Sequence, residues 1–181
     1  MNFGLEREYF VGKANWNRES DQVFSKSWNC VGRVEALFSE NNAACFCAVQ
    51  IDDFDILLIR SEKGLIQAFH NVCRHRGTRL VSSERGPLKN ACVTCPYHAW
   101  TYNADGELIG APNMKDVDSF DPRQFGLKTV ACFDWCGFVM VNPGEAKANF
   151  EFDFAEIIER MKPWNLAQLE LKKTLAYEVL S

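Results

Sequence analysis

Short apolar runs separated by turn-forming residues fill the middle of the chain. They are Trp28–Val34, Ala44–Ile51, Ile56–Arg60, Leu65–Asn71, Trp100–Tyr102, Leu127–Phe133 and Phe138–Val141. Between them lie Asn41-Asn42, Asp52-Asp53, Lys63-Gly64, Asp105-Gly106 and Asn142-Pro143-Gly144. Runs of this length with this punctuation predict an all-β fold of antiparallel strands, with Asn103–Gly106 as a tight hairpin turn. Ahead of the first run, Asn17–Trp28 places Val23, Phe24 and Trp28 at helical spacing behind a polar start, which predicts a short amphipathic helix. After Gly144 the pattern changes. Residues 145–152 read as a linker, and Asp153–Trp164 as a helix capped by Asp153 and stopped near Pro163. Phe154, Ile157, Ile158 and Met161 form that helix's apolar face, and the acids between Glu151 and Glu159 its wet face. Residues 169–181 alternate, with Leu175, Tyr177 and Val179 on one side. That alternation reaches Ser181 with no turn or polar tail, so a strand continuing further is expected. The organisation read from this pattern is a lead-in and first strand over 1–35, a central β-domain over 36–144, and a linker helix with a following strand over 145–181.

A length of 181 residues fits one compact domain with extensions at about 150 residues per domain. Hydrophobic residues make up 47% and charged residues 24%, which excludes a disordered chain. The net charge of −4 gives no reason to expect nucleic acid or an anionic membrane as partner. The longest apolar run, Ala43–Val49, is far short of the ~20 residues of a spanning helix. No basic segment followed by an apolar stretch opens the chain, so a cytoplasmic protein is expected. In that compartment clustered Cys and His point to metal or redox chemistry before disulfides. The chain holds eight cysteines but only three histidines: His70, His75 and His98.

Two segments concentrate that chemistry: Cys73-Arg74-His75-Arg76-Gly77 and Cys95-Pro96-Tyr97-His98-Ala99-Trp100. They read Cys-x-His and, further on, Cys-x-x-His. Each offers one thiolate and one imidazole from a tight loop, so two loops can pinch a metal centre between them. Structural zinc is one candidate, but its usual spacing pairs cysteine with cysteine and histidine with histidine. A [2Fe–2S] cluster with two Cys on one iron and two His on the other is the second candidate, and mixed halves suit it. A further zinc site from Cys92, Cys95, Cys132 and Cys136 is conceivable but conflicts with the use of Cys95. Cys30, Cys45 and Cys47 read as buried thiols and His70 as a structural or surface histidine. Trp100 is expected to pack beside the second loop. Arg74 and Arg76 either steer an acidic redox partner or are solvated.

The segments CRHRG and CPYHAWTY resemble the Rieske [2Fe–2S] signature of ring-hydroxylating, non-haem iron oxygenase large subunits. SWNCVGRV, GAPNM and FDWCGFVMVNPG extend the likeness over most of residues 15–145. The resemblance implies that Cys73 and Cys95 hold one iron and His75 and His98 the other. It implies a Rieske-type β-domain that receives electrons from a ferredoxin or flavin-dependent reductase. Those electrons would pass to mononuclear Fe(II) in a catalytic domain, of the same or a neighbouring subunit, that this chain lacks. It also implies a homotrimer for the full-length subunit. No catalytic residue is expected within the 181 residues. Two departures stand out. The loops lack the extra cysteines that make a disulfide in respiratory Rieske proteins, which points to a lower potential. The stretch between the ligand pairs is slightly longer than usual and carries Gly86-Pro87 where Gly-Asn is customary. Charge arithmetic explains the mixed ligands. A +2 core with four thiolates totals −2, whereas two thiolates and two neutral imidazoles leave it at 0, which raises the potential. A stand-alone Rieske ferredoxin is the alternative in the same chemistry, and a zinc-stabilised binding module the alternative outside it.

Overall fold

The computed structural model describes residues 4–38, 43–114, 117–144, 147–170, 172–173 and 175. The N-terminal lead-in is helical: α1 (Glu8–Val11), α2 (Lys13–Glu19) and a π-helical turn, Ser20–Phe24. The helix expected over 17–28 is therefore shifted toward the N-terminus, and its last turn is widened. The Ser20 hydroxyl in that turn donates to the Asp52 carboxylate of a distant hairpin. Among the described residues ten strands follow, interrupted by a short helix and by two 3-10 turns, Lys89–Ala91 and Pro122–Phe125. They are β1 (Asn29–Arg33), then α3 (Val34–Leu37), β2 (Cys45–Ile51), β3 (Phe54–Arg60), β4 (Ile66–His70), β5 (Arg85–Pro87), β6 (Cys92–Thr94), β7 (Thr101–Asn103), β8 (Leu108–Gly110), β9 (Thr129–Trp135) and β10 (Phe138–Asn142).

Every strand pair is antiparallel. Seven strands form one sheet in the order β1-β10-β9-β4-β3-β2-β5, and three form a second, β6-β7-β8. Strand β3 shows why its sequence is apolar without alternation. Leu57 and Ile59 face a core shared with the small sheet, while Ile56 and Leu58 face a second core with Leu37, Phe38, Val139 and Val141. The first of these cores also holds Cys73, Cys95, Trp100 and Tyr102, so both chemistry-bearing loops are rooted in packed apolar side chains. The expected turn at Asn103–Gly106 is present. Gly106 adopts φ +78°, and a Cβ there would lie 2.4 Å from the ring of Phe69. The stretch with Gly86-Pro87 pairs as β5 with β2 and ends in a left-handed pair, Asn90 and Ala91.

Beyond Gly144, α4 (Phe150–Asp153), α5 (Ala155–Met161) and a 3-10 turn, Lys162–Trp164, replace the single expected helix. The cap is Asn149, whose side chain accepts from Phe152 N–H. Asp153 instead ends α4, and its carboxylate accepts from Trp28 Nε1 at 2.9 Å. From residue 176 the expected strand toward Ser181 lies outside the described residues, and Leu175 is exposed. No helix among the described residues is long and apolar enough to cross a membrane.

Candidate metal centre

Two loops of six residues, Cys73–Thr78 and Cys95–Trp100, share one hydrogen-bond frame. In the first, Cys73 N–H donates to Thr78 O at 2.8 Å and Gly77 N–H to Cys73 O at 3.0 Å. In the second, Cys95 N–H donates to Trp100 O at 2.8 Å and Ala99 N–H to Cys95 O at 3.1 Å. The fifth residue of each is left-handed, Gly77 at φ +71° and Ala99 at φ +54°. The frame folds each loop back so that its cysteine points into the core while its histidine stays at the rim. The base of the first loop is held by Asn71, fully buried at the end of β4. Its amide donates to Asp55 Oδ1 and Val81 O and accepts from Val81 N–H. Asp55 in turn pairs with Arg79, and Val72 bridges to Arg79.

The four predicted residues come together. Cys73 and Cys95 are buried and their thiols lie against each other. The rings of His75 and His98 approach edge to face, with centroids 4.7 Å apart. Trp100, only 2% exposed, stacks flat on His75 at 4.7 Å and 8°, and is itself wedged by Phe120 and Phe125. Tyr97 lies against His98 at 3.7 Å. The expectation for Trp100 therefore holds, with a definite partner.

Sequence reasoning missed Tyr102. Its hydroxyl accepts the Arg74 backbone N–H at 3.1 Å and lies 3.3 Å from Cys73 Sγ. A hydroxyl that already accepts has its one proton free to donate, and the sulfur is there to receive it. Burial raises the Cys73 thiol pKa, and the Tyr102 and His75 N–H hydrogen bonds pull it back. Burial and the Cys73 contact hold the Tyr102 phenol well above its usual range. Burial lowers the His75 pKa, with His98 and Arg76 adding to the effect, so the imidazole favours the neutral form that can ligate.

This donor set suits a metal centre on direct observation. His98 Nδ1 is shut off from solvent and has no hydrogen-bond partner, which is the condition of a lone pair reserved for a cation. Burial favours the protonated Cys73 thiol, and a metal bound at Cys73 and Cys95 would take up their sulfurs as thiolates. Among the described residues no three His, Cys, Asp or Glu side chains converge on one metal position. A two-iron core, with two donors on each iron, asks for no such convergence.

The other candidates are dispersed. Cys92 lies on β6 while Cys132 lies on β9 and Cys136 in the turn after it, in the other sheet. Cys45 and Cys47 are buried as expected, but Cys30 is exposed on the edge strand β1. His70 is half-buried at the end of β4 beside Phe54, and burial together with Lys128 lowers its pKa. Arg76 is exposed, and Arg74 is half-buried with its Nε unpartnered.

Residues 27–121 match the Rieske [2Fe-2S] domain family. The chain is 32% identical over 164 residues to the glycine betaine monooxygenase oxygenase subunit of Pseudomonas aeruginosa PAO1, covering 91% of this chain and 37% of that protein. It is 37% identical over 138 residues to the carnitine monooxygenase oxygenase subunit of Escherichia coli K12, covering 76% and 36%. Among solved structures, apo CntA, a quaternary ammonium Rieske monooxygenase, superposes with a TM-score of 0.79 at 29% identity, over 94% of this chain and 49% of that one. A naphthalene 1,2-dioxygenase F352V variant bound to phenanthrene does so with a TM-score of 0.70 at 26% identity, over 84% and 34%. The chain thus spans about a third to a half of the length of these relatives.

Proposed function

This chain belongs to the Rieske [2Fe–2S] domain family, and from that premise we propose that it is the electron-relay part of a Rieske-type oxygenase subunit. Cys73 and Cys95 would hold one iron of the cluster, and His75 and His98 the other. The observation that carries the reading is the pair of matched loops, which buries two thiols and brings two imidazoles edge to face with one nitrogen, His98 Nδ1, left orphaned. When bound, such a centre takes up and hands on one electron at a time. The chain's own residues do the rest. The buried cysteines keep water from the sulfur side, Tyr102 donates toward Cys73, and Trp100 fixes the plane of His75. The outer ring nitrogens of the histidines can then hydrogen-bond an acceptor, which a thiolate cannot do.

In the whole protein, residues 1–35 would lead in, 36–144 carry the centre and 145–181 pass to a catalytic domain with mononuclear iron. The similarity to carnitine and glycine betaine monooxygenase subunits and to CntA supports a quaternary ammonium compound as the substrate. It supports an oxygenase subunit over a stand-alone ferredoxin as well. A ferredoxin or flavin-dependent reductase would be the donor, and a neighbouring subunit of a homotrimer the acceptor. One solved relative concerns inter-subunit electron transfer. A cytoplasmic setting is supported by the cysteines, all eight of which are free thiols. Anaerobic reconstitution with iron and sulfide tests the relay. A brown protein with two irons and two sulfides per chain, bleached by Cys73→Ser or Cys95→Ser, is expected. One zinc per chain with neither iron nor sulfide would overturn it.

A further inference from the structure

Beside the first loop lies an open recess of about 410 Å³ lined by His70, Val72, Cys73, Arg74, Gly77 and Lys128. No carboxylate lines it, and neither His75 nor His98 does. Its two permanent cations are unspent. Among the described residues the Arg74 guanidinium makes no hydrogen bond or ion pair, and neither does the Lys128 ammonium, whereas Arg33, Arg79, Arg123, Lys162 and Lys172 are each paired with an acid. Gly77, at the lip, leaves open space where a side chain would stand. The chain as a whole carries −4, so its general field repels an acidic protein, and a local basic recess is what would orient one.

We propose that this recess seats a carboxylate side chain of the acidic protein that reduces the centre, so that the donor docks against Cys73 and the imidazole edge is left to the acceptor. The proposal rests on the relay reading above and adds the place of entry. In the step itself the donor is oxidised by one electron and the centre reduced by one. No bond to the donor forms or breaks, and at neutral pH no proton is taken up. Two separate faces, one of thiolate and one of imidazole, would let donor and acceptor be engaged without displacing each other.

The test is stopped-flow reduction of the reconstituted 181-residue chain by a photoreduced, acidic plant-type [2Fe–2S] ferredoxin. Reduction by methyl viologen radical, a small cation with no need of the recess, is measured beside it. The quantity read is the ratio of the two rates. Lys128→Glu, exposed and outside both loops, is expected to lower that ratio at least tenfold at low ionic strength, with the difference fading in high salt. Arg74→Gln should act in the same direction. Lys63→Glu, an equal charge change at the far end of the β3–β4 hairpin, should alter the ratio less than twofold. Equal effects of Lys128→Glu and Lys63→Glu, or no effect of Lys128→Glu, would overturn the docking site while leaving the relay intact. A reconstituted chain that viologen cannot reduce would sink the relay reading and the docking site with it.

Discussion

The hydroxyl of Tyr102 accepts from a backbone N–H and faces the Cys73 sulfur, so its proton has one destination. A donor aimed at a thiolate stabilises the state with more negative charge, which is the reduced one, and therefore raises the potential. Tyr102→Phe keeps the buried ring and removes only the donor. Protein-film voltammetry should find the potential lower by on the order of 50 mV, since about 59 mV corresponds to a tenfold change for one electron. An unchanged or higher potential would mean that the proton points elsewhere. A second residue, Cys132 on β9, lies away from the centre. Burial, with Asp134 beside it, pushes its thiol up to about 12 from an ordinary value of 9.0. The unfolded chain ionises first, so this thiol's contribution to stability is complete below pH 9 and is lost as pH rises from 9 toward 12. Urea melts at pH 8 and pH 11 should therefore show a smaller alkaline loss in Cys132→Ala than in the parent. Equal losses would contradict the burial.

At the scale of elements, the segment after Gly144 is clamped to the β-domain by aromatic rings. Phe150 is 2% exposed, and its ring meets Trp28 edge-on at 5.2 Å and stacks on Phe133 at 5.0 Å and Phe154 at 4.8 Å. The Trp28–Asp153 hydrogen bond closes the same contact. Phe150→Ala is expected to cost about 3–5 kcal/mol in chemical denaturation while leaving the visible spectrum of the loaded centre intact. A loss below about 1 kcal/mol would mean that α4 is not anchored there. That contact also shows what the sequence could and could not tell. The six strands of five to seven residues were legible because each has enough residues to show its apolar character between turns. Strands β5, β6, β7 and β8 have three residues each, too few for any period. The apolar Trp100–Tyr102 run marked the place of β7, whereas β5 forms by pairing with the longer β2, and β6 and β8 by flanking β7. Asp153 resembles a cap from spacing alone, but Trp28 lies 125 positions away and competes for its carboxylate. Around the centre, spacing singled out Cys73, His75, Cys95 and His98 as candidates, since two short loops carry their own signature, and the fold brings those loops together. Tyr102 and Asn71 were not legible, because their roles depend on which loop each strand is folded against.

For the molecule as a whole, two sheets and two cores serve to hold a pair of loops at fixed separation, with sulfur inward and imidazole outward. The fold and the family membership leave the identity of the outer pair as the central claim, and the proton chemistry of those imidazoles makes it measurable. Oxidised iron withdraws more charge than reduced iron, so the ligating rings lose a proton more readily in the oxidised state. Reduction in alkali then takes up a proton, and the potential must fall as pH rises. The chain has only one other histidine, His70, which is half-buried on β4 and outside the loops. The most direct test is the reduction potential of the reconstituted chain followed from neutral to strongly alkaline pH. The account predicts a flat region that bends into a slope approaching about 59 mV per pH unit for each proton coupled to the electron. A potential that stays level over the whole range would contradict His75 and His98 as ligands.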